Sequence, residues 1–468
     1  MPGRYGRRDA AARAPPVEPV PTFATAAAIV ARLRDAGFET YLAGGCVRDR
    51  LLGRDAVDYD LATAARPDQV TALLPRTVDV GAAFGVIRVL ADDGDYEVAT
   101  FRTEGPYFDG RHPSSVRYAG PREDALRRDF TINGLFYDPA SDRVLDFVGG
   151  RGDLATRSVR AIGDPAARFE EDRLRMLRAV RLAAELDFTI DPETFDAIRR
   201  HAEGVQTVSA ERVRDELVRM LTGPDPGRGL ALLRDTGLLA MVLPEIAAEI
   251  GVPQPANFHP EGDVFEHTRR AMAALRRPSP ALAMATLLHD AGKPGTLEYA
   301  PDRIRFSRHD ERGAEIARAV MERLRFPRRE TDRVTALVGR HMIFKDLPQM
   351  REATRRRLLA DEIFPDLLEL HRADCAGSHG DMSLYEWARS EGERLAAAPP
   401  PPDRLVSGHD VLARGTPAGP RVAAVLEAVE DARLEGRVRT REEALALIDA
   451  LIARDRDAAG RPPGGGER

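Results

Sequence analysis

Cysteine is nearly absent from this 468-residue chain: Cys46 and Cys375 are the two. That excludes a disulfide-stapled secreted scaffold and fits a reducing, cytoplasmic setting. Long apolar runs are missing too. No stretch approaches the ~20 apolar residues that cross a bilayer, so no membrane partner is expected. The first residues carry arginines with no apolar segment behind them, so no secretory signal is expected. Excess positive charge is also lacking, at a net −6. This argues mildly against a nucleic-acid partner but leaves room for local basic patches. One such block runs from Arg323 to Arg357, with eleven Lys/Arg against four Asp/Glu; a solvated helical face fits it as well as RNA contact. No internal repeat is present.

What the chain does have is 43% hydrophobic and 31% charged residues, the balance of a soluble globular protein. Its length predicts several domains. The Arg-, Ala- and Pro-rich stretch 1–20 and the end 457–468, with RPPGGGER, read as disordered. Pro399 to Pro402 reads as a stiff break, and Pro253–Gln254–Pro255 as a boundary.

The most informative stretch is Tyr41 to Thr63, YLAGGCVRDRLLGRDAVDYDLAT. A short buried strand ends at Ala43, Gly44–Gly45 supplies a tight turn, and a helix follows over 46–52 with Val47, Leu51 and Leu52 on one face. Free N–H groups at that turn, around Gly45, suit an anion such as phosphate, and Arg48 can reach the same anion. A second strand is expected over 57–61, with Asp58 and Asp60 on one side, ~7 Å apart. Two carboxylates so placed suit one or two Mg²⁺ ions, which would activate an attacking hydroxyl and stabilise departing pyrophosphate. Alone, Asp-x-Asp also suits a solvated strand edge. Glu97, in the strand expected over 96–101, is a candidate third carboxylate.

Further along, a helix is expected over 22–36, with Ala27, Val30, Ala31 and Leu33 inward, and strand alternation over 78–90. Arg102 to Arg117 has a mobile loop's composition. In RRDFTINGLFYD, the pair Arg127–Arg128 beside Asp129 and Asn133 can grip a triphosphate while reading ribose hydroxyls. The segment 169–186 predicts one helix with Leu174, Leu177, Val180 and Ala184 inward. Asp172, Arg175 and Arg178 would then be surface neighbours. A carboxylate beside a guanidinium complements the amine-plus-ring-nitrogen edge of cytosine and adenine and opposes uracil and guanine. A self-paired charged face is the competing reading. Ser209 is expected to cap a helix, and 224–250 to hold another helical pair.

The pattern GG-x-VRD-x-LLG followed by D-x-D resembles the first motif of the class II tRNA nucleotidyltransferases and bacterial poly(A) polymerases. RRD, DFVGG and EDxxRxLR resemble that family's later motifs. The resemblance implies an α+β architecture. It comprises a small polymerase-β-like head with mixed sheet and helices over 21–155, a helical nucleotide-selecting and RNA-binding region over 156–252, and all-helical segments beyond. It implies Mg²⁺ at Asp58 and Asp60, nucleotide contacts from Gly45, Arg48 and Arg128, and sugar recognition by Asp129. Base selection falls to Asp172, Arg175, Arg178 and Arg181, and 146–154 becomes an interdomain hinge. The implied activity is template-independent addition of C and A, from CTP and ATP, to the tRNA 3′ end. A-only addition and poly(A) synthesis are the alternatives within the family. VGAAFGVIRV stands where a poly(A) polymerase carries an Arg-rich segment. No DNA partner is implied.

A second constellation is His267, His289–Asp290, His309, His341 and Asp374 on expected helices. Its order, with Gly292–Lys293 behind the His-Asp pair, resembles the HD phosphohydrolases. That implies an HD domain over 253–396, followed by a helical tail over 403–456. It also implies a bound transition metal (Ni, Co or Mn) or Mg²⁺ that lowers the pKa of water for phosphoester hydrolysis. A chain that is chiefly an HD phosphohydrolase is the reading from a different class; the intact D-x-D argues against it.

Overall fold

The computed structural model describes residues 20–81, 85–105, 115–255, 262–301, 304–397 and 403–459. Most of the stretch 1–20, the centre of the 102–117 loop, the Pro399–Pro402 break and the RPPGGGER end lie outside these residues. The chain forms two compact units, Met1–Pro244 and Glu245–Arg468. The division falls ahead of the Pro253–Pro255 segment that marks a boundary in the sequence.

The first unit opens with helix α1 (Phe23–Asp35), capped by Thr22, whose side chain accepts from the Thr25 N–H. Its inward face is Ala26, Ile29, Val30 and Leu33, so the expected face is rotated, with Ala31 exposed. Strands β1 (Thr40–Ala43), β2 (Asp60–Thr63), β3 (Thr77–Gly81), β4 (Val86–Ala91) and β5 (Gly94–Thr100) follow, with helices α2 (Gly45–Leu51) and α3 (Pro67–Leu73) between them. Short strands β6 (Arg102–Glu104) and β7 (Val116–Tyr118) pair with each other. Beyond helix α4 (Pro121–Leu126), strands β8 (Leu135–Asp138) and β9 (Arg143–Asp146) complete a seven-stranded sheet in the order β3-β4-β5-β2-β1-β8-β9.

Within this sheet β2 and β5 run parallel, with Asp60 opposite Glu97. Tyr41, Phe101 and Phe136 pack together on one face of the sheet with Phe147 against them. Two strand expectations need correction. β2 starts at Asp60, so Val57, Asp58 and Tyr59 form an irregular approach, and Val57 is 80% exposed. The 78–90 stretch is two strands rather than one. In α2, Val47 is buried but Leu51 faces outward.

Helices α5 (Gly150–Ala155) and α6 (Pro165–Glu171) lead to α7 (Leu174–Leu186), α8 (Pro192–His201) and α9 (Ala210–Leu221). The single helix expected over 169–186 is therefore broken. Asp172 has extended backbone (φ −145°, ψ 102°), and its Oδ1 accepts from the Leu174 N–H at 3.1 Å. A short carboxylate that can bond backbone N–H competes with helix continuation and starts a new helix instead. Leu174, Leu177, Val180 and Ala184 do face inward. Ser209 stands at the N-cap of α9 without a side-chain bond. The 224–244 segment gives α10 (Pro226–Asp235) and α11 (Leu238–Val242). The expected hinge 146–154 is a cross-tied turn, in which Asp146 accepts from the N–H groups of Val148, Gly149, Gly150 and Arg151.

The second unit is largely helical: α12 (Pro244–Ala247), α13 (Val264–Ala274), α14 (Pro280–Leu288), α15 (His309–Arg323), α16 (Arg328–Arg340), α17 (Glu352–Leu359), α18 (Phe364–Gly377) and α19 (Ser383–Ala397). A small hairpin (Leu297–Tyr299 with Ile304–Phe306) interrupts them. The tail helices α20 (Gly408–Leu412), α21 (Pro420–Leu434) and α22 (Arg441–Ala459) share a core of Val411, Val425, Val429, Ala432 and Ile448. Among the described residues, no helix is long and apolar enough to cross a membrane.

Helix α5 approaches the Thr131 turn so closely that a Cβ at Gly150 would lie 2.1 Å from the Thr131 carbonyl oxygen. Backbone cannot yield as a side chain can, so Gly150→Ala is expected to cost about 3 kcal/mol. Denaturant unfolding of the two proteins measures this, and a difference below about 0.5 kcal/mol contradicts it.

Candidate active site and metal centre

The first unit contains a cavity of about 820 Å³ lined by Gly44, Gly45, Asp58, Asp60, Glu97, Arg128, Asp129, Asp172, Arg175 and Arg178, among others. Gly44 makes its floor: φ is +76°, and a Cβ there would stand 3.1 Å from the Arg128 guanidinium and 3.4 Å from Asp60 Oδ2. Burial, and then the neighbouring Asp58 and Glu97, push the Asp60 carboxyl up to about 6, against the pull of Arg128 and Arg178.

Arg128 is held from behind. Asp124, 1% exposed, accepts from Arg127 Nε at 2.9 Å and Arg128 NH2 at 3.2 Å. Sequence reasoning missed Asp124, although its three- and four-residue spacing to the arginines on a helical segment was the signal. Asp129 is fixed through Oδ2 by Arg178 Nε at 2.9 Å and NH2 at 2.6 Å, and through Oδ1 by Asn133 at 3.2 Å. Burial would raise its carboxyl, but the charge and hydrogen bonds of Arg178 bring it down to about 2.

Arg48, Arg175 and Arg181 also line the cavity, and each donates to partners within the chain. Arg48 is buried, donating to Asn133 Oδ1 at 2.8 Å and to both oxygens of Asp49 at 2.9 Å. Arg175 is bonded to Glu171 at 2.8 Å and to the carbonyls of Arg168 and Arg127 at 3.3 Å. Arg181 is clamped between Glu216 at 2.6 Å and Glu185 at 2.7 Å. The guanidinium beside Asp172 belongs to Arg212, at 2.7 Å. Sequence reasoning gave Arg212 and Glu216 no part in the site.

In the second unit, two groups of side chains could hold a cation: His267, His289 and Asp374, and Asp290, His309 and His341. Ligand atoms within each group lie no more than 4.8 Å apart. Among the described residues, the head carboxylates Asp58, Asp60 and Glu97 form no group that tight. His289, His309 and His341 each turn Nδ1 to a carbonyl: Thr286 at 2.8 Å, Phe306 at 2.9 Å and Val338 at 2.6 Å. A carbonyl only accepts, so each of these Nδ1 atoms carries a proton, and in the neutral form of the ring Nε2 then presents a lone pair. These lone pairs converge, with His267 Nε2 3.2 Å from His289 Nε2 and His309 Nε2 3.3 Å from His341 Nε2. Asp290 stands between the groups. Its Oδ2 is 3.3 Å from His289 Nε2, and its Oδ1 is 3.6 Å from His309 Nε2. That Oδ2 is buried with no well-aligned donor, although Lys293 Nζ is 2.7 Å away. Burial lowers His341 to about 4, which keeps its imidazole neutral.

Three family models match in chain order: a poly A polymerase head domain over 40–160, a probable RNA and SrmB-binding site of polymerase A over 187–250, and an HD domain over 264–376. The A-adding tRNA nucleotidyltransferase of Deinococcus radiodurans is 36% identical over 438 residues, covering 87% of this chain and 94% of that protein. The CCA-adding enzyme of Geobacillus stearothermophilus is 33% identical over 431 residues, covering 90% and 95%. The chain belongs to the tRNA nucleotidyltransferase and poly(A) polymerase family. Its match to the CCA-adding enzyme of Levilactobacillus brevis is 45% identical over 217 residues and spans about half of that protein, 54%. The crystal structure of the Bacillus stearothermophilus CCA-adding enzyme in complex with CTP superposes with a TM-score of 0.72 at 29% identity, covering 93% of this chain and 99% of that one.

This tRNA nucleotidyltransferase-family chain therefore carries a metal-binding type of site in its HD domain. Facing imidazole lone pairs repel one another unless a cation lies among them, and the buried Asp290 carboxylate stands between the two groups, so the donor set fits a metal.

The raised Asp60 carboxyl has a consequence for stability. An unfolded Asp ionises near ~3.9, whereas Asp60 keeps its proton up to about 6. Across that interval the unfolded chain releases a proton that the folded chain retains, so stability falls as pH rises, by roughly 2–3 kcal/mol in all. Without divalent cations, Asp60→Asn is expected to melt above wild type near ~pH 7.5 and with it near ~pH 4. Coincident melting at the higher pH contradicts the assignment.

Proposed function

We propose that the first unit adds nucleotides to the 3′ end of tRNA without a template, taking C and A from CTP and ATP and releasing pyrophosphate. The observation that carries this reading is the meeting of Asp58, Asp60 and Glu97 with Arg128, Asp129 and Asp172 in one cavity. Asp58 and Asp60 would hold Mg²⁺, which supplies activation of the 3′-hydroxyl and stabilisation of the leaving pyrophosphate. Arg128, braced by Asp124, binds the triphosphate, and Asp129, pinned by Arg178 and Asn133, faces the ribose hydroxyls. Asp172 accepts from the exocyclic amine that cytosine and adenine share. The domain boundaries follow the family's pattern, with a head over 21–155, a nucleotide-selecting and RNA-binding region over 156–252, an HD domain over 253–396 and a helical tail over 403–456.

Addition of the whole CCA agrees with the relatives named for that activity. The Deinococcus radiodurans relative supports a second reading, addition of the terminal A alone. Purified protein given tRNA ending at the discriminator base, and tRNA ending in CC, with each NTP singly and in pairs, separates them. Extension of the first substrate with CTP and ATP is expected; extension of the second alone selects the A-only reading. Asp58→Ala is expected to abolish incorporation, by more than about a thousandfold, with thermal stability kept. Near-normal incorporation would remove the two-carboxylate mechanism.

The HD domain we assign to phosphoester hydrolysis at a centre of His267, His289, Asp290, His309, His341 and Asp374, with Ni, Co, Mn or Mg as the metal. Metal analysis of purified protein, with a 2′,3′-cyclic phosphate assay on wild type and on His289→Ala/Asp290→Ala, tests this. Hydrolysis by wild type and its loss in a double variant that still extends tRNA are expected. A metal-free wild type that stays silent in added Ni²⁺, Co²⁺ or Mn²⁺ leaves these histidines as packing residues.

A further inference from the structure

The sequence pairs Asp172 with Arg175, but the folded chain pairs it with Arg212. Both carboxylate oxygens of Asp172 are tethered: Oδ1 by the Leu174 N–H at 3.1 Å, Oδ2 by Arg212 NH2 at 2.7 Å. The first tether is a local bond in the break between α6 and α7; the second comes from α9, 40 residues away in sequence. Arg175, meanwhile, spends its fork on Glu171 and two carbonyls. Helix α9 is itself pinned to α7 one turn further on, where Glu216 grips Arg181 at 2.6 Å and stands 3.6 Å from Arg178. Arg212 is thus held in place, and it lines the same cavity as Asp172.

A carboxylate oxygen has two lone pairs, so Oδ2 can accept from Arg212 and still accept from a second donor. A carboxylate held at both oxygens cannot turn about its Cβ–Cγ bond, which fixes the direction of that remaining acceptor. Selection against uracil and guanine needs a fixed acceptor, because a free one rotates to suit other donors.

We propose that Arg212 is a positioning residue for base selection, locking the Asp172 carboxylate in the orientation that accepts from the amine of cytosine or adenine. This rests on the reading of Asp172 as the base-selecting carboxylate.

The test compares relative kcat/KM for CTP and UTP on tRNA ending at the discriminator base in wild type, Arg212→Ala, Arg212→Gln, Arg212→Lys and Asp172→Asn. Arg212→Ala and Arg212→Gln are expected to raise the UTP-to-CTP ratio about tenfold. Arg212→Lys, which restores one charged donor, is expected to return it to within about threefold of wild type. If Arg212→Ala does not fold, Arg212→Gln at this partly buried position carries the comparison, with thermal unfolding as the check. An equal fall in kcat/KM for CTP and UTP, with the ratio unchanged, overturns the proposal, since a purely structural role would do that. Relaxed selection in Asp172→Asn with unchanged selection in Arg212→Gln overturns the role of Arg212 alone. Unchanged selection in Asp172→Asn overturns the reading of Asp172 and the proposal with it.

Discussion

Carboxylates gathered at one end of a sheet repel one another, and the head has to hold them together before any cation arrives. The parallel pairing of β2 with β5 sets Asp60 beside Glu97, and Asp58 adds a third negative group. Burial first, and then the two neighbouring acids, hold the Asp60 carboxyl up to about 6. Opposing it is a lattice of alternating charge: Asp124 behind Arg128, Asp129 and Glu216 around Arg178, Glu216 and Glu185 around Arg181. In a partly dry cavity such pairs act more strongly than in water, and an unpaired member is correspondingly costly. The arginines therefore place the acids as much as they await an anion.

The two units meet the same electrostatic difficulty with different chemistry. The head offers oxygen donors at loose spacing, which suits Mg²⁺ because that ion keeps several waters and substrate oxygens. The HD domain offers imidazoles together with the buried Asp290 and the half-buried Asp374 at close spacing, which suits a more nitrogen-seeking metal.

The order of both sites was legible in the sequence because each motif is local. Glycines before a short helix, an Asp-x-Asp, an Arg-Arg-Asp and a His-Asp pair can all be read within a dozen residues. What escaped depends on long-range partners. Arg175 looked like the mate of Asp172 by helical spacing, but Asp172 interrupts the helix and meets Arg212 instead. Arg48 gave no sign in the sequence of its partner Asn133, which lies 85 residues further along the chain. The strand over 57–61 failed for a related reason. Alternation was present, but only residues from Asp60 onward find hydrogen-bonding neighbours in β1 and β5.

Three imidazoles of the HD centre are steered by the carbonyl three residues before each: Thr286 for His289, Phe306 for His309, Val338 for His341. Every amino acid carries that oxygen, proline included. The orientation of the rings is thus written in main chain, and no particular side chain is needed at those three positions to preserve it. During evolutionary drift, codons there could change freely as far as ring orientation is concerned, while the histidines could not. A comparison of related sequences would then find the ligands constant and their supports variable, although both belong to one centre.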